Sequence, residues 1–199
     1  MNSRAMRLKP TRAKLITDWA ACKRAFDKAR IPWVMTDGAV LGYVRHKDIM
    51  PWDTDLDLGV FCELSAADWQ RLWEALRGEG FSLKNSKTEF VYGTRKTRFN
   101  LMLFHKKGEF YESFPKGTMK LGLRFVERAK WYDEPQLVKF LGDIYPVPNH
   151  TIDYINAHYG TDWETRIVKD HITWFKEKRQ RARKGGDLWP KLLLKNEMP

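Results

Sequence analysis

A chain of 199 residues with 43% hydrophobic and 14% aromatic residues can bury a core without disulfide or metal staples and is not an intrinsically disordered sequence. No run approaches the roughly 18 apolar residues of a membrane helix, and MNSRAMRLKPTRAK has no apolar stretch behind its charges, so neither an integral membrane protein nor a secretory leader is expected. The net charge of +11 reads equally as a surface for an anionic partner (nucleic acid, an anionic lipid surface or a phosphate-rich polymer) and as a solubilising surface.

The charge is concentrated at the ends. Residues 1–14 carry five Lys/Arg and no acid. Leu15, Trp19, Cys22 and Phe26 then recur at helical spacing, which predicts an amphipathic helix over residues 11–30, stopped by Ile31-Pro32. Trp33 to Thr36 reads as a buried strand. Gly38 and Gly42 are expected to bracket a tight turn leading into a short helical segment. Pro51 breaks the chain before Asp53 to Phe61, whose polar and apolar residues alternate as in a strand. Ser65 and Asp68 have capping-box spacing, and Trp69, Leu72, Trp73 and Leu76 line one face of a helix ending near Gly78 or Gly80. Strand-like runs follow at Phe81–Leu83, Phe90–Tyr92, Phe99–Phe104 and Met119–Val126. Residues 136–142 and 151–159 read as short helices joined by an extended stretch, 143–148. A basic helix over 172–184 is expected, ended by Gly185-Gly186. Lys176 to Lys184 hold six cations against one acid, and a boundary near residue 170 separates the domain, 1–170, from a basic tail, 171–199. The order of elements is α+β, not a repeating βα unit. Cys22 and Cys62 lie too far apart for a metal-ligand pair and read as buried thiols of a reducing cytoplasm.

The chemistry is concentrated between Thr36 and Asp57. Asp53, Asp55 and Asp57 alternate, so on a strand all three share one face. Interleaved with Leu56 and Leu58, they stand at the edge of an apolar layer, where adjacent carboxylates resist ionisation unless a cation compensates. A hard divalent ion with oxygen ligands is the economical solution, set against a plain solvated acidic strand end. Gly38 allows close backbone approach to a ligand, and neighbouring amides, Ala39 included, can cradle phosphate oxygens. Arg45 and Lys47 add cations for a diphosphate, and Trp52 is placed to contact a base or sugar. Arg95, Lys96 and Arg98 could clamp a further phosphate. Together these are the parts of metal-assisted phosphoryl transfer.

The run Asp37-Gly38-Ala39-Val40-Leu41-Gly42-Tyr43-Val44-Arg45, followed by Pro51-Trp52-Asp53-Thr54-Asp55-Leu56-Asp57, resembles the LicD/fukutin family signature, a G-T-L-L-G-x-x-R turn followed by P-W-D-x-D-x-D. Tyr145-Pro146-Val147-Pro148, Tyr154-Ile155 and Tyr159-Gly160-Thr161-Asp162-Trp163 match a second family stretch, and the resemblance covers roughly residues 12–165. It implies a nucleotidyltransferase-like mixed sheet flanked by helices. It also implies transfer of a phospho-group, of the phosphocholine or alditol-phosphate type, from a CDP-activated donor to a glycan hydroxyl, with a teichoic-acid-like polyanion as one acceptor class. Asp55 and Asp57 would bind Mg²⁺ or Mn²⁺, Asp53 would support them, and Gly38 would lie under the donor diphosphate.

Two departures stand out. Ala39 replaces the family's Thr or Ser, removing one hydroxyl. A later-strand Asp is expected where Met102 falls, and Asn100 on the same face cannot act as a base. The base would then be Asp53, nearest the acceptor hydroxyl, or His105, Glu109 or Glu112. The alternatives are a nucleic-acid-directed transferase of the same fold, drawing on the basic tail, and a degenerate binding protein. The expected location is cytoplasmic, peripheral at the inner membrane face.

Overall fold

The computed structural model describes residues 10–61, 63–82, 90–93, 97–113, 123–166 and 191–194. Helix α1 (Arg12–Ala29) is capped by Thr11, whose hydroxyl accepts the Lys14 amide, and ends at Arg30 in the left-handed conformation. Its apolar stripe, Leu15, Trp19, Cys22 and Phe26, is buried as the spacing predicts. Strand β1 (Trp33–Met35) is wholly buried and leads directly into α2 (Asp37–His46). Gly38 and Gly42 therefore sit inside a helix and do not bracket a turn. Gly42 is needed there because a Cβ on it would lie 2.9 Å from the Asp48 carbonyl oxygen of the returning chain.

Strand β2 (Asp55–Phe61) carries the acids, and α3 (Ala66–Gly78) starts with the capping box that Ser65 and Asp68 predict. Strands β3 (Phe81–Ser82), β4 (Phe90–Gly93), β5 (Arg98–Lys107), β6 (Phe110–Ser113) and β7 (Leu123–Arg128) follow. A short 3-10 turn (Ala129–Trp131) leads to β8 (Gln136–Phe140), β9 (Asp143–Val147), α4 (Thr151–Tyr159) and β10 (Lys191–Leu194).

The order β1-β2-β5-β6-β7-β10 runs across an eight-stranded sheet, with β4 also on β5 and β3 on β4. Strands β2 and β5 are parallel and the other pairs of this sheet antiparallel, so the sheet is mixed and the α+β expectation holds. Residues 136–142 are not a helix. Gln136–Phe140 pairs with Asp143–Val147, and Leu141 and Gly142, both at positive φ (50° and 86°), make the two-residue hairpin turn between them. Residues 191–194 pair with β7, so part of the basic C-terminal segment crosses the boundary expected near 170 and joins the domain's sheet. Cys22 is a buried free thiol, whereas Cys62 and the basic stretch 172–184 lie outside the described residues. Among the described residues no helix is long and apolar enough to cross a membrane.

Aromatic rings fill the core. Trp19 and Trp33 stack at 6.3 Å, with Tyr145 edge-on to both. Beneath the acid strand, Phe104 packs against Tyr132 at 4.6 Å and against the bare backbone of Gly59. A Cβ on Gly59 would lie 2.0 Å from Phe104 Cε2. Gly59→Ala is thus an overpacking substitution, and we expect it to cost about 3 kcal/mol in urea unfolding. A change within about 0.5 kcal/mol, the range of neutral surface substitutions, would show that the ring moves aside freely.

Candidate functional site

The acid strand and the glycine-bearing helix meet at one end of the sheet. Pairing of β1 with β2 runs to Met35 and Leu58. One further bond, from the Thr36 amide to the Asp57 carbonyl at 3.0 Å, fastens the start of α2 beside the acids. The positive end of the α2 dipole then faces them. A Cβ on Gly38 would lie 3.1 Å from Asp57 Oδ2 and 3.3 Å from Asp53 Oδ2, so only a bare backbone fits this closely without displacing a carboxylate.

Asp55 and Asp57 share one face of β2, and the register with β5 sets Asn100 opposite Asp57. The Asn100 amide donates to Asp55 Oδ2 at 3.0 Å and to Asp57 Oδ1 at 2.8 Å. Met102 falls opposite Gly59. Asn100, and not Met102, is therefore the residue that stands against the carboxylates. Asp53 precedes the strand. It closes a turn through its amide to the Met50 carbonyl at 2.9 Å, and its Oδ1 accepts the Thr54 amide, the local bonding by which Asp favours turns over strand. It still reaches the cluster through a hydrogen bond to Asp55.

Burial, followed by the charges of Asp55 and Asp37, holds Asp57 well above the usual carboxylate range, while the Asn100 bond pulls the other way. Burial also pushes Asp53 up to about 7, reinforced by its hydrogen bond to Asp55 and that residue's charge. Such a cluster gives up its protons readily only when positive charge compensates. The donor set suits Mg²⁺, which takes one or two carboxylates and completes its shell with water and phosphate oxygens. Among the described residues no three His, Cys, Asp or Glu side chains converge into an all-protein cage.

Ala39 is buried in the first turn of α2, its amide donating to the Thr36 carbonyl. Arg45 is engaged as a tie: Nη1 donates to the Trp163 carbonyl at 2.9 Å and Nη2 to Met50 Sδ at 3.1 Å. Its guanidinium lies 5.5 Å from the Trp52 ring, which Arg166 covers at 3.8 Å. Trp52 thus forms a cation-lined shelf next in sequence to the acids. Lys47 is not brought to them. It is exposed at the C-terminal end of α2, over the Tyr43 ring, and nine residues of helical rise put it about 14 Å from Gly38. His105 is exposed and Glu112 buried, paired with each other about 17 Å along the sheet from Asn100; exposed Glu109 lies at that same end, so none of the three is near the acids. Arg98 stands opposite Asp55 in register, whereas Arg95 and Lys96 lie outside the described residues.

Sequence reading passed over Asp37, His158 and Glu127. Asp37 Oδ1 lies 3.2 Å from His158 Nδ1, and His158 Nε2 lies 3.4 Å from Glu127 Oε2, with His158 and Glu127 fully buried. Residue separations of 121 and 31 hide this grouping from any local motif.

Residues 30–150 match the family model described as LicD/FKTN/FKRP, nucleotidyltransferase domain. A human ribitol-5-phosphate transferase FKTN is 23% identical over 176 residues, covering 84% of this chain and 36% of that protein. Its mouse counterpart is 25% identical over 189 residues, covering 90% of this chain and 38% of its own length. An uncharacterized protein of Rickettsia typhi is 29% identical over 93 residues, 44% of this chain and 29% of that protein. The chain thus spans about a third of the length of the curated relatives it matches.

Proposed function

Because the chain belongs to the LicD/FKTN/FKRP nucleotidyltransferase-domain family, we propose that it moves a phospho-ligand, of the phosphocholine or alditol-phosphate type, from a CDP-activated donor to a glycan hydroxyl. The supporting observation is the approach of the Asp57 and Asp53 carboxylates to the bare Gly38 at the N-terminus of α2, with Asp55 on the same face of β2 as Asp57. Helix amides and the dipole favour phosphate oxygens there. The two carboxylates would hold Mg²⁺ or Mn²⁺, which when bound supplies the positive charge that phosphoryl transfer requires.

Within this reading each residue has its own task. Gly38 supplies the close backbone approach of the cradle, with Ala39 fixing the first turn of α2 behind it, and Asp53 supports Asp55 through their shared hydrogen bond. Trp52, held between Arg45 and Arg166, is a platform for the donor's base or sugar. Arg45 keeps that platform fixed to α2. The acceptor is a polyanionic glycan, drawn by the basic ends of the chain at an anionic membrane face.

The test is a thermal-shift panel of CDP-choline, CDP-ribitol and CDP-glycerol against UDP- and GDP-linked donors, with Mg²⁺ or EDTA. A donor at a hundredfold excess over its Kd stabilises by about 2.7 kcal/mol, or roughly 5–10 °C for a domain of this size. The expected result is a Mg²⁺-dependent shift confined to the CDP-linked donors. Equal shifts with UDP- or GDP-linked donors would reassign the donor, and cation-independent shifts would remove the metal from the reading.

A further inference from the structure

Asp37 opens α2 with φ 40°, a left-handed conformation that residues other than glycine rarely adopt. Its neighbours hold it there at both ends. Its amide donates to the Tyr154 hydroxyl at 2.9 Å, and its Oδ1 meets His158 Nδ1 at 3.2 Å. The His158 ring lies on the Tyr154 ring at 4.1 Å, and its other nitrogen faces Glu127 Oε2 at 3.4 Å. Glu127 in turn accepts the Tyr132 hydroxyl.

An imidazole enclosed between two carboxylates inside a core is a costly way to hold a helix end. Apolar side chains of the same volume would hold it as well or better. Backbone strain of this kind collects where function needs a fixed side chain. Asp37, unlike its two buried supports, is partly open to solvent, with its side chain 26% exposed. It adjoins Gly38, where a Cβ would lie 3.1 Å from the Asp57 carboxylate and 3.3 Å from that of Asp53.

We propose that Asp37 is the group that takes the proton from the acceptor hydroxyl, with His158 and Glu127 as positioning residues that hold its carboxylate at the site. This rests on the transferase reading above. In the step, the acceptor O–H bond breaks and its proton passes to the Asp37 carboxylate. The freed oxygen pair forms a bond to the phosphorus of the transferred group. The bond from that phosphorus to the bridging oxygen breaks, and the electron pair leaves on the nucleoside monophosphate. Asp37 returns the proton to solvent before the next turnover. The assignment supplies the base for which the later strand, with Asn100 in place of a carboxylate, has no candidate. It leaves Asp53 to its hydrogen bond with Asp55.

The variant Asp37→Gly separates this role from a structural one, because glycine relieves the left-handed backbone while removing the carboxylate. Three quantities are read on the full chain: the melting temperature, the Mg²⁺-dependent shift with the CDP-linked panel, and CMP release with water or glycerol as hydroxyl acceptor. The expected result is an unchanged or higher melting temperature, a retained donor shift, and a fall in kcat on the order of 10²–10⁴-fold with the donor KM unchanged. His158→Asn is expected to lower kcat less, again with the donor KM and the donor shift preserved. CMP release within about threefold of wild type in Asp37→Gly, well inside the cost of losing a general base, would overturn the assignment. So would loss of the donor shift together with the melting temperature, which would make Asp37 a scaffold residue. Wild-type protein that neither shifts with any donor nor releases CMP would overturn the transferase reading itself, and this inference with it.

Discussion

Replacing Asp55 and Asp57 together by asparagine is expected to abolish Mg²⁺-dependent donor binding and to raise the melting temperature of the metal-free protein. Both effects come from the same crowding. Burial, and then the charges of Asp55 and Asp37, raises the Asp57 carboxyl well above its usual range. Asp53 is carried from 3.8 to about 7 by burial and by Asp55. Between about pH 4 and 7 the folded metal-free protein therefore keeps protons that the unfolded chain has already released, and its stability falls as pH rises through that window. Across about three pKa units the loss is on the order of a few kcal/mol. A bound divalent cation offsets it, so Mg²⁺ should raise the melting temperature strongly at pH 8 and weakly at pH 5. In the double variant the charges of Asp55 and Asp57 are gone, so its stability should vary less with pH than the wild type's, Asp53 still being raised by burial, and should not respond to Mg²⁺. Melting curves from pH 4 to 8, with Mg²⁺ or EDTA, decide the matter. A wild-type donor shift in the double variant would place the cation elsewhere, and parallel pH profiles would show that these carboxylates are not the source of the strain.

What the sequence makes legible here is local. The α1 stripe, the Ser65–Asp68 capping box and the alternation along Asp55–Phe61 each depend on neighbours within a few positions, and the structure carries all of them. The hairpin over 136–147 was not legible because Leu137, Val138, Phe140 and Leu141 imitate a helical stripe. Its turn is Leu141-Gly142, without the Asn-Gly or Asp-Gly that marks such loops. Strand β6 is too short, at Phe110–Ser113, for a periodic signal. At the site, the two strand carboxylates and Gly38 could be read from spacing. The place of Asn100 could not, because it depends on the β2–β5 register across 43 residues. The Asp37–His158–Glu127 group draws on three elements far apart in the chain, and nothing in the residues around Asp37 announces its positive φ.

Asn100→Asp is the substitution that asks most of the site. In the wild type one amide donates to both strand carboxylates and supplies part of the positive character a cation would otherwise bring. An aspartate there removes both bonds and adds another negative charge against Asp55 and Asp57. The metal-free protein should lose on the order of 3 kcal/mol, from unsatisfied acceptors and like-charge repulsion together. With Mg²⁺ the sign reverses, because a third carboxylate oxygen becomes available to a hard cation. Melting temperature should then climb more steeply with Mg²⁺ concentration than in the wild type, and CMP release should rise if the missing later-strand acid limits the rate. Met102→Asp is the control. Met102 stands opposite Gly59, half-buried against the hydrophobic core. A carboxylate there should destabilise the fold with no recovery in Mg²⁺. If both variants recover alike, or neither does, the Asn100 amide does not occupy the place of a third carboxylate, and the wild-type pair of acids is the complete cation site.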